Sequence, residues 1–219
     1  MNVRHQSPLL WIINVSVLAT SACSVLADGP SFADWRADGR AQLAETTLKP
    51  NCLPVRTGEI VINEVLAKPA GIDLDGDGLS NNRDEALELL FVGTFAGHLD
   101  GTRLVLDGKD RGIITDITCL HPNQVVVVTG STAQALVLPA GSRHVRLTKP
   151  LNLRDDGGHL QLVGALGTVL GQAHYPAAQP GQSQVRHPDG DAFSGFVSHL
   201  QTGGGSHSLG SVSTLPMVN

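Results

Sequence analysis

No long segment of this chain repeats apolar residues at the helical period, and no apolar run is long enough to span a bilayer. The longest such run near the start, Leu9 to Ala19, is short and broken by Asn14 and Ser16. Charge is sparse at 16% of the 219 residues, and the formal net charge of −5 supplies no general attraction to phosphate backbones or anionic lipid surfaces. Signatures of chemistry are missing as well. There is no His-Glu-x-x-His pair, no Gly-x-Ser-x-Gly elbow and no phosphate-cradling glycine loop. The histidines are scattered about one per strand or turn, and the three cysteines lack the paired spacing of a zinc site. These absences argue against a helical bundle, a nucleic-acid binder and an enzyme of a motif-bearing class. The sharpest enzymatic alternative is a metal held by His187, Asp189 or His199 in a hydrolase, set against plain surface histidines.

What is present is turn chemistry and short apolar runs. Glycine at 25 residues and proline at 12, with 41% hydrophobic content, predict an all-β body with one sizeable core. Runs at Leu99–Leu106, Gly112–Ile117, Arg143–Leu147, His159–Val163 and Thr168–Tyr175, separated by turns such as Asp107-Gly108 and Pro122-Asn123, suit a sandwich or a barrel. Four consecutive valines, Val125 to Val128, predict a strand covered on both faces.

Residues 1–27 read as an export signal: Arg4 and His5 precede the apolar run, and Val25-Leu26-Ala27 offers a small-residue cleavage site. A second processing route competes with this one. Thr20-Ser21-Ala22-Cys23 resembles a bacterial lipobox, in which Cys23 becomes the lipidated first residue. In either case Cys52 and Cys119 are left as a pair in an oxidising setting, where they form a disulfide or stay as two buried thiols. Residues 28–57, with Gly39 and Pro50 interrupting any helix, are expected to be a linker or docking arm. The Gly/Ser-rich stretch 203–219 is expected to be a flexible tail.

The densest chemical pattern lies between two strand-like runs, Glu59–Leu66 and Ala86–Val92. Residues 73–85 carry the carboxylates Asp73, Asp75, Asp77, Asp84 and Glu85, whose mutual repulsion opposes a compact turn unless a cation sits among them. Counting Asp73 as position one, carboxylates fall at one, three and five and a glycine, Gly76, at six. The carbonyl of Leu79 then falls at seven, Asn81 at the water-mediated ninth position, and Asp84 at twelve. Asp84 is shorter than the usual glutamate there, and neighbouring Glu85 could substitute. This offset pattern predicts a calcium loop between strands, not an EF-hand; the plain alternative is an Asp/Gly-rich turn.

Several segments, in order, resemble the lamin tail domain family, in its exported bacterial form. They are Ile62-Asn63-Glu64-Val65, Glu85–Leu89, Leu99–Leu104, Pro122–Val127, Leu151–Gly158, the Ser183-x-x-Arg186 region within 181–190, and Ser208-Leu209-Gly210. The resemblance covers about residues 58–211 and implies an immunoglobulin-like β-sandwich, placed here at 58–202. It departs from the family's pattern at Leu209, where proline is common, and the acidic loop is an insertion relative to lamins that resembles the one in exported bacterial members. The expectation is thus a non-catalytic module, secreted or lipid-anchored at the cell envelope, with a calcium-stabilised loop. Its partner would be a protein or surface component, with no nucleic acid, and any membrane attachment would run through Cys23. A competing class is an accessory module of a secreted metal-dependent hydrolase of the phosphodiesterase or nuclease type.

Overall fold

The computed structural model describes residues 52–212 apart from Thr118 and Thr132, all within the unit Leu48–Asn219. The leader, Cys23 and most of the expected linker lie outside the described residues. Among those described, regular structure is almost entirely strand, with two short 3₁₀ turns at Asn82–Asp84 and His199–Thr202, and no helix is long and apolar enough to cross a membrane. The all-β expectation holds.

The strands follow the apolar runs. A six-stranded sheet is built from β2 (Ile60–Leu66), β3 (Ala86–Phe91), β7 (Val125–Thr129), β8 (Arg143–Arg146), β11 (Gln184–Arg186) and β12 (Phe196–Ser198). Its order is β12-β11-β2-β3-β7-β8. A four-stranded sheet joins β5 (Arg103–Leu106), β6 (Lys109–Ile113), β9 (Gly158–Val163) and β10 (Val169–Tyr175) in the order β10-β9-β5-β6. A short parallel pair, β1 (Leu53–Pro54) with β4 (Gly97–His98), completes the set. Ladders are antiparallel except β1–β4 and β7–β8.

Both larger sheets contribute to one apolar cluster. Ile60, Ile62, Leu87, Leu89, Phe91, Val126 and Val128 come from the six-stranded sheet, and Leu104, Leu106, Leu160, Leu162 and Ala173 from the four-stranded one. Alternate residues of a strand face opposite ways, so Val125 and Val127 point to the other side. There they join Leu66, Ala86, Leu90 and Leu209 in a second cluster, packed by Ile72, Leu74, Leu136 and Leu138. The valine run is therefore covered on both faces, as its composition predicts. Burial of a valine or leucine side chain stabilises by roughly 1.5–3 kcal/mol, so each face of β7 is anchored independently.

Register is reset once in the central strand. The β2–β3 pairing shifts between Ile62 and Glu64. An extra residue of this kind reverses which alternate side chains face the core. Before it Ile60 and Ile62 face the main cluster, and after it Val65 and Ala67 do. Asn63 sits at the shift, and Glu64 is delivered to the outer side next to Glu88, its partner across the ladder.

Three boundaries differ from the sequence reading. The body starts at Cys52 and not after residue 57: Cys52 is bonded to Cys119 with Cα atoms 5.4 Å apart, and Val55 is buried in the main cluster. Strand β6 begins at Lys109, because an edge strand tolerates the outward charges that hide it from a hydrophobicity pattern. Within the expected flexible tail, residues 206–210 instead pack onto the sheet, where Leu209 and Gly210 are buried, while residues 213–219 lie outside the described residues. The Gly/Ser composition there serves a close-fitting run of bends and turns.

Candidate functional site

The acidic loop is closed by its own main chain. Oδ1 of Asp73 accepts N–H bonds from Gly76 at 2.8 Å and Asp77 at 3.2 Å, and Oδ2 accepts from Gly78 at 2.8 Å. Asp84, fully buried, does the same from the far end: Oδ1 accepts from Leu74 at 2.8 Å, and Oδ2 from Asn81 at 2.9 Å. Asp75 reaches outside the loop, its Oδ2 accepting from the Gln134 N–H at 2.9 Å. These contacts aim three carboxylates at one point. Asp73, Asp75 and Asp84 each offer an oxygen, and these atoms all lie within 4.8 Å of one another. Two oxygens on opposite sides of a calcium ion at about 2.4 Å span about that distance, so the set fits a hard cation of calcium's size. Gly76 and Gly78 have φ of 71° and 85°, a backbone region that suits glycine and lets the loop curl this tightly.

Of the other predicted ligands, Asp77, Asn81 and Glu85 have partners of their own, and Leu79 enters the set through its carbonyl alone. Asp77 accepts from the Leu79 N–H at 2.8 Å and faces Arg83, with Oδ2 3.5 Å from its guanidinium. Leu79 exposes its side chain. Asn81 caps the 3₁₀ turn, accepting from the Arg83 N–H at 2.8 Å, while Asp84 returns the capping bond. Glu85 leaves the loop altogether: its buried carboxyl accepts from the Leu153 N–H at 2.9 Å. Burial, partly offset by that bond, pushes it up to about 7.

A second carboxylate group, not recognised as a site from the sequence, lies under the carboxyl-terminal segment. Glu64 and Glu88, both fully buried, face each other across β2 and β3. Glu64 accepts from the N–H of Ser208 at 2.9 Å and from its hydroxyl at 2.6 Å. Glu88 accepts from the Gly210 N–H at 2.8 Å and from the Asn63 amide at 2.8 Å. The Asn63 side chain also donates to Asp189 and accepts from the Gly190 N–H at 2.9 Å, so it holds a second turn. Glu88 is held well above the usual carboxylate range, first by burial and then by the charge of Glu64. His207 beside this group is lowered from its ordinary value, mainly by burial. The signal in the sequence was an alternating strand bearing a buried-side glutamate on each of two neighbours, and the donors come from residues up to 144 positions away.

His187, Asp189 and His199 do share a cavity with Arg186, Thr202 and Ser208, but it holds only about 10 Å³, room for no more than a water molecule. Arg186 is committed elsewhere, donating to the carbonyls of Ile62 and Ser194 and lying 4.7 Å above the Phe196 ring. A cleft of about 530 Å³ is open and lined mostly by apolar groups, Leu53, Val55, Leu166 and Leu170 among them, with His98 and Asp100 at its wall.

No protein-family model matches the chain. No curated protein matches it either.

Proposed function

We propose that this chain is a non-catalytic, exported interaction module whose acidic loop takes up calcium, built as a lamin-tail-like, immunoglobulin-like sandwich. The observation that carries the calcium reading is the convergence of Asp73, Asp75 and Asp84 on one point within a loop whose main chain already orients them. An all-oxygen donor set of like charges favours a hard divalent cation, and filling it removes the repulsion among the carboxylates. Because Asp75 also binds the main chain of Gln134, and Ile72 and Leu74 pack on the outer face of the sheet, metal uptake would stiffen that whole side of the body.

The family reading is supported by a coincidence of motif and contact. Asn63, Glu64, Glu88, Arg186 and Ser208–Gly210 belong to the short segments that carry the resemblance, and these residues meet in one buried polar network or against it. In that reading the network is the internal fastening that closes the sandwich, leaving its loops free to engage a protein or surface component at the cell envelope. Export to an oxidising compartment accords with the Cys52–Cys119 bond.

The test is calorimetric titration of the full chain with calcium, beside thermal melts with and without the metal. Heat of binding and a raised Tm, both lost in Asp75→Asn, are expected. An unchanged Tm and no heat at millimolar calcium would remove the calcium reading.

A further inference from the structure

On the four-stranded sheet, β9 and β10 set His159 directly opposite His174. The two imidazoles stack face to face, with ring centroids 4.1 Å apart and planes 11° from parallel. Their sequence neighbours Leu160 and Ala173 point into the main apolar cluster, so strand alternation turns both histidines to the outer side. His174 is exposed and His159 half-buried. The next pair along that side, Gln161 and Gln172, is also polar and joined by a 3.4 Å hydrogen bond. Among the described residues, no hydrogen bond or ion pair engages a ring nitrogen of His159 or His174. Two imidazoles with free lone pairs thus stand together on a rigid ladder.

We propose that His159 and His174 form a chelating site for a divalent transition metal, of the Cu²⁺, Ni²⁺ or Zn²⁺ class, distinct from the acidic loop. Imidazole nitrogen is the donor these ions favour, whereas calcium takes oxygen. Side chains directly opposite on antiparallel strands have Cβ atoms about 4.5–5.5 Å apart. From that span two ring nitrogens, each about 2.0–2.1 Å from a metal, reach a single ion once the stacked rings splay by rotating about χ2. Asp107, bonded to the main chain of His159, is occupied: Oδ1 accepts from the His159 main-chain N–H at 2.9 Å, and Oδ2 lies 3.9 Å from Arg154. It braces the His159 backbone while water fills the remaining coordination positions. With no carboxylate or carbonyl holding either ring in one tautomer, the site exchanges its metal readily and is not a structural centre.

The test uses the full chain in excess calcium, so that the acidic loop is filled, titrated calorimetrically with Cu²⁺, Ni²⁺ and Co²⁺. His159→Gln, His174→Gln and the double variant are compared with His121→Gln, an exposed histidine outside the pair. Affinity is expected to rise from Co²⁺ to Ni²⁺ to Cu²⁺. It should fall at least tenfold in either single variant, with little further loss in the double, and stay unchanged in the His121 variant. Imidazole ¹⁵N spectra of the parent should show both rings shifting in step with added Zn²⁺, the diamagnetic member of the class. Two outcomes overturn the site: affinity indifferent to both substitutions, or independent losses in which each variant removes one equivalent and leaves the other untouched.

Discussion

The protein contains two gatherings of carboxylates that solve the same electrostatic problem in opposite ways. In the loop of residues 73–85 the acids are clustered by local sequence, bend their own main chain around themselves, and keep Asp73 exposed. Beneath the carboxyl-terminal segment, Glu64 and Glu88 come from different strands, are fully dry, and receive N–H and O–H donors from distant parts of the chain. In the loop only Asp73 is exposed, Asp75 and Asp84 being buried, and in the reading proposed above a metal entering at Asp73 would lower the repulsion among the three. In the second group burial and the facing charge of Glu64 hold Glu88 well above the usual carboxylate range, so it keeps its proton to higher pH. The difference teaches that an acidic cluster's role depends on where its compensation comes from: main-chain donors of the same loop for the first, joined by a cation in that proposed reading, and donors from distant segments for the second.

The comparison is broken most severely at Glu88. Removing the carboxyl in Glu88→Ala leaves the Gly210 N–H and the Asn63 amide without their buried acceptor, at an expected cost of about 3–5 kcal/mol in chemical denaturation. Glu88→Gln keeps the volume and one acceptor and should cost about 1–2 kcal/mol. Equal losses in the two variants would mean that packing, not acceptor supply, is what Glu88 provides.

Next in size is the dependence on pH. Glu85 is pushed up to about 7 in the folded chain from an ordinary 4.5, so between those values the folded state keeps a proton that the unfolded state releases. Stability from this group is complete below about pH 4.5 and is lost as pH rises toward 7; Glu88 acts in the same direction. His144 and His207, both lowered from 6.5, work against this below that pH because their stability is lost on acidification. Above 6.5 the histidines are neutral in both states and the carboxyls act alone. Denaturation midpoints should therefore fall between pH 6.5 and 8, and Glu85→Gln with Glu88→Gln should flatten the fall.

Calcium at a hundredfold excess over its dissociation constant should add about 2.7 kcal/mol to stability, read as a Tm shift abolished in Asp75→Asn and unaltered in Glu88→Gln. A calcium shift that vanished in Glu88→Gln would merge the two clusters into one system. The smallest effect is expected for Ser208→Ala, which takes one of two donors from Glu64 and should cost about 1 kcal/mol in the same denaturation assay.

Much of the framework was legible because it follows from local pattern. β2, β3, β7, β9 and β10 are the runs with apolar alternation or continuous apolar character, and the offset of Asp73, Asp75 and Asp84 announced their convergence. What was not legible depended on partners far away in sequence. Asp77 fitted a ligand count but lies outside the group of three and faces Arg83, Asn81 also caps the 3₁₀ turn, and Glu85 turned to Leu153. β6 was hidden by its charged edge, and the parallel pairing of β7 with β8 has no local signature. The stretch 203–212 read as loose because glycine and serine are common in linkers, yet Ser208, Leu209 and Gly210 are fixed by two glutamates and an apolar cluster from other strands.

The bond between Cys52 and Cys119 has a mechanical consequence. Tension arriving along the backbone from the amino-terminal side reaches the body at Cys52 and is passed at once to Cys119, 67 residues further on. Part of the load bypasses β2 and β3 and enters beside Leu120, whose main chain is joined to Gly97. Strand β2 is therefore shielded from carrying the whole pull, so the body resists traction from that end better than its small amino-terminal pairing alone would allow.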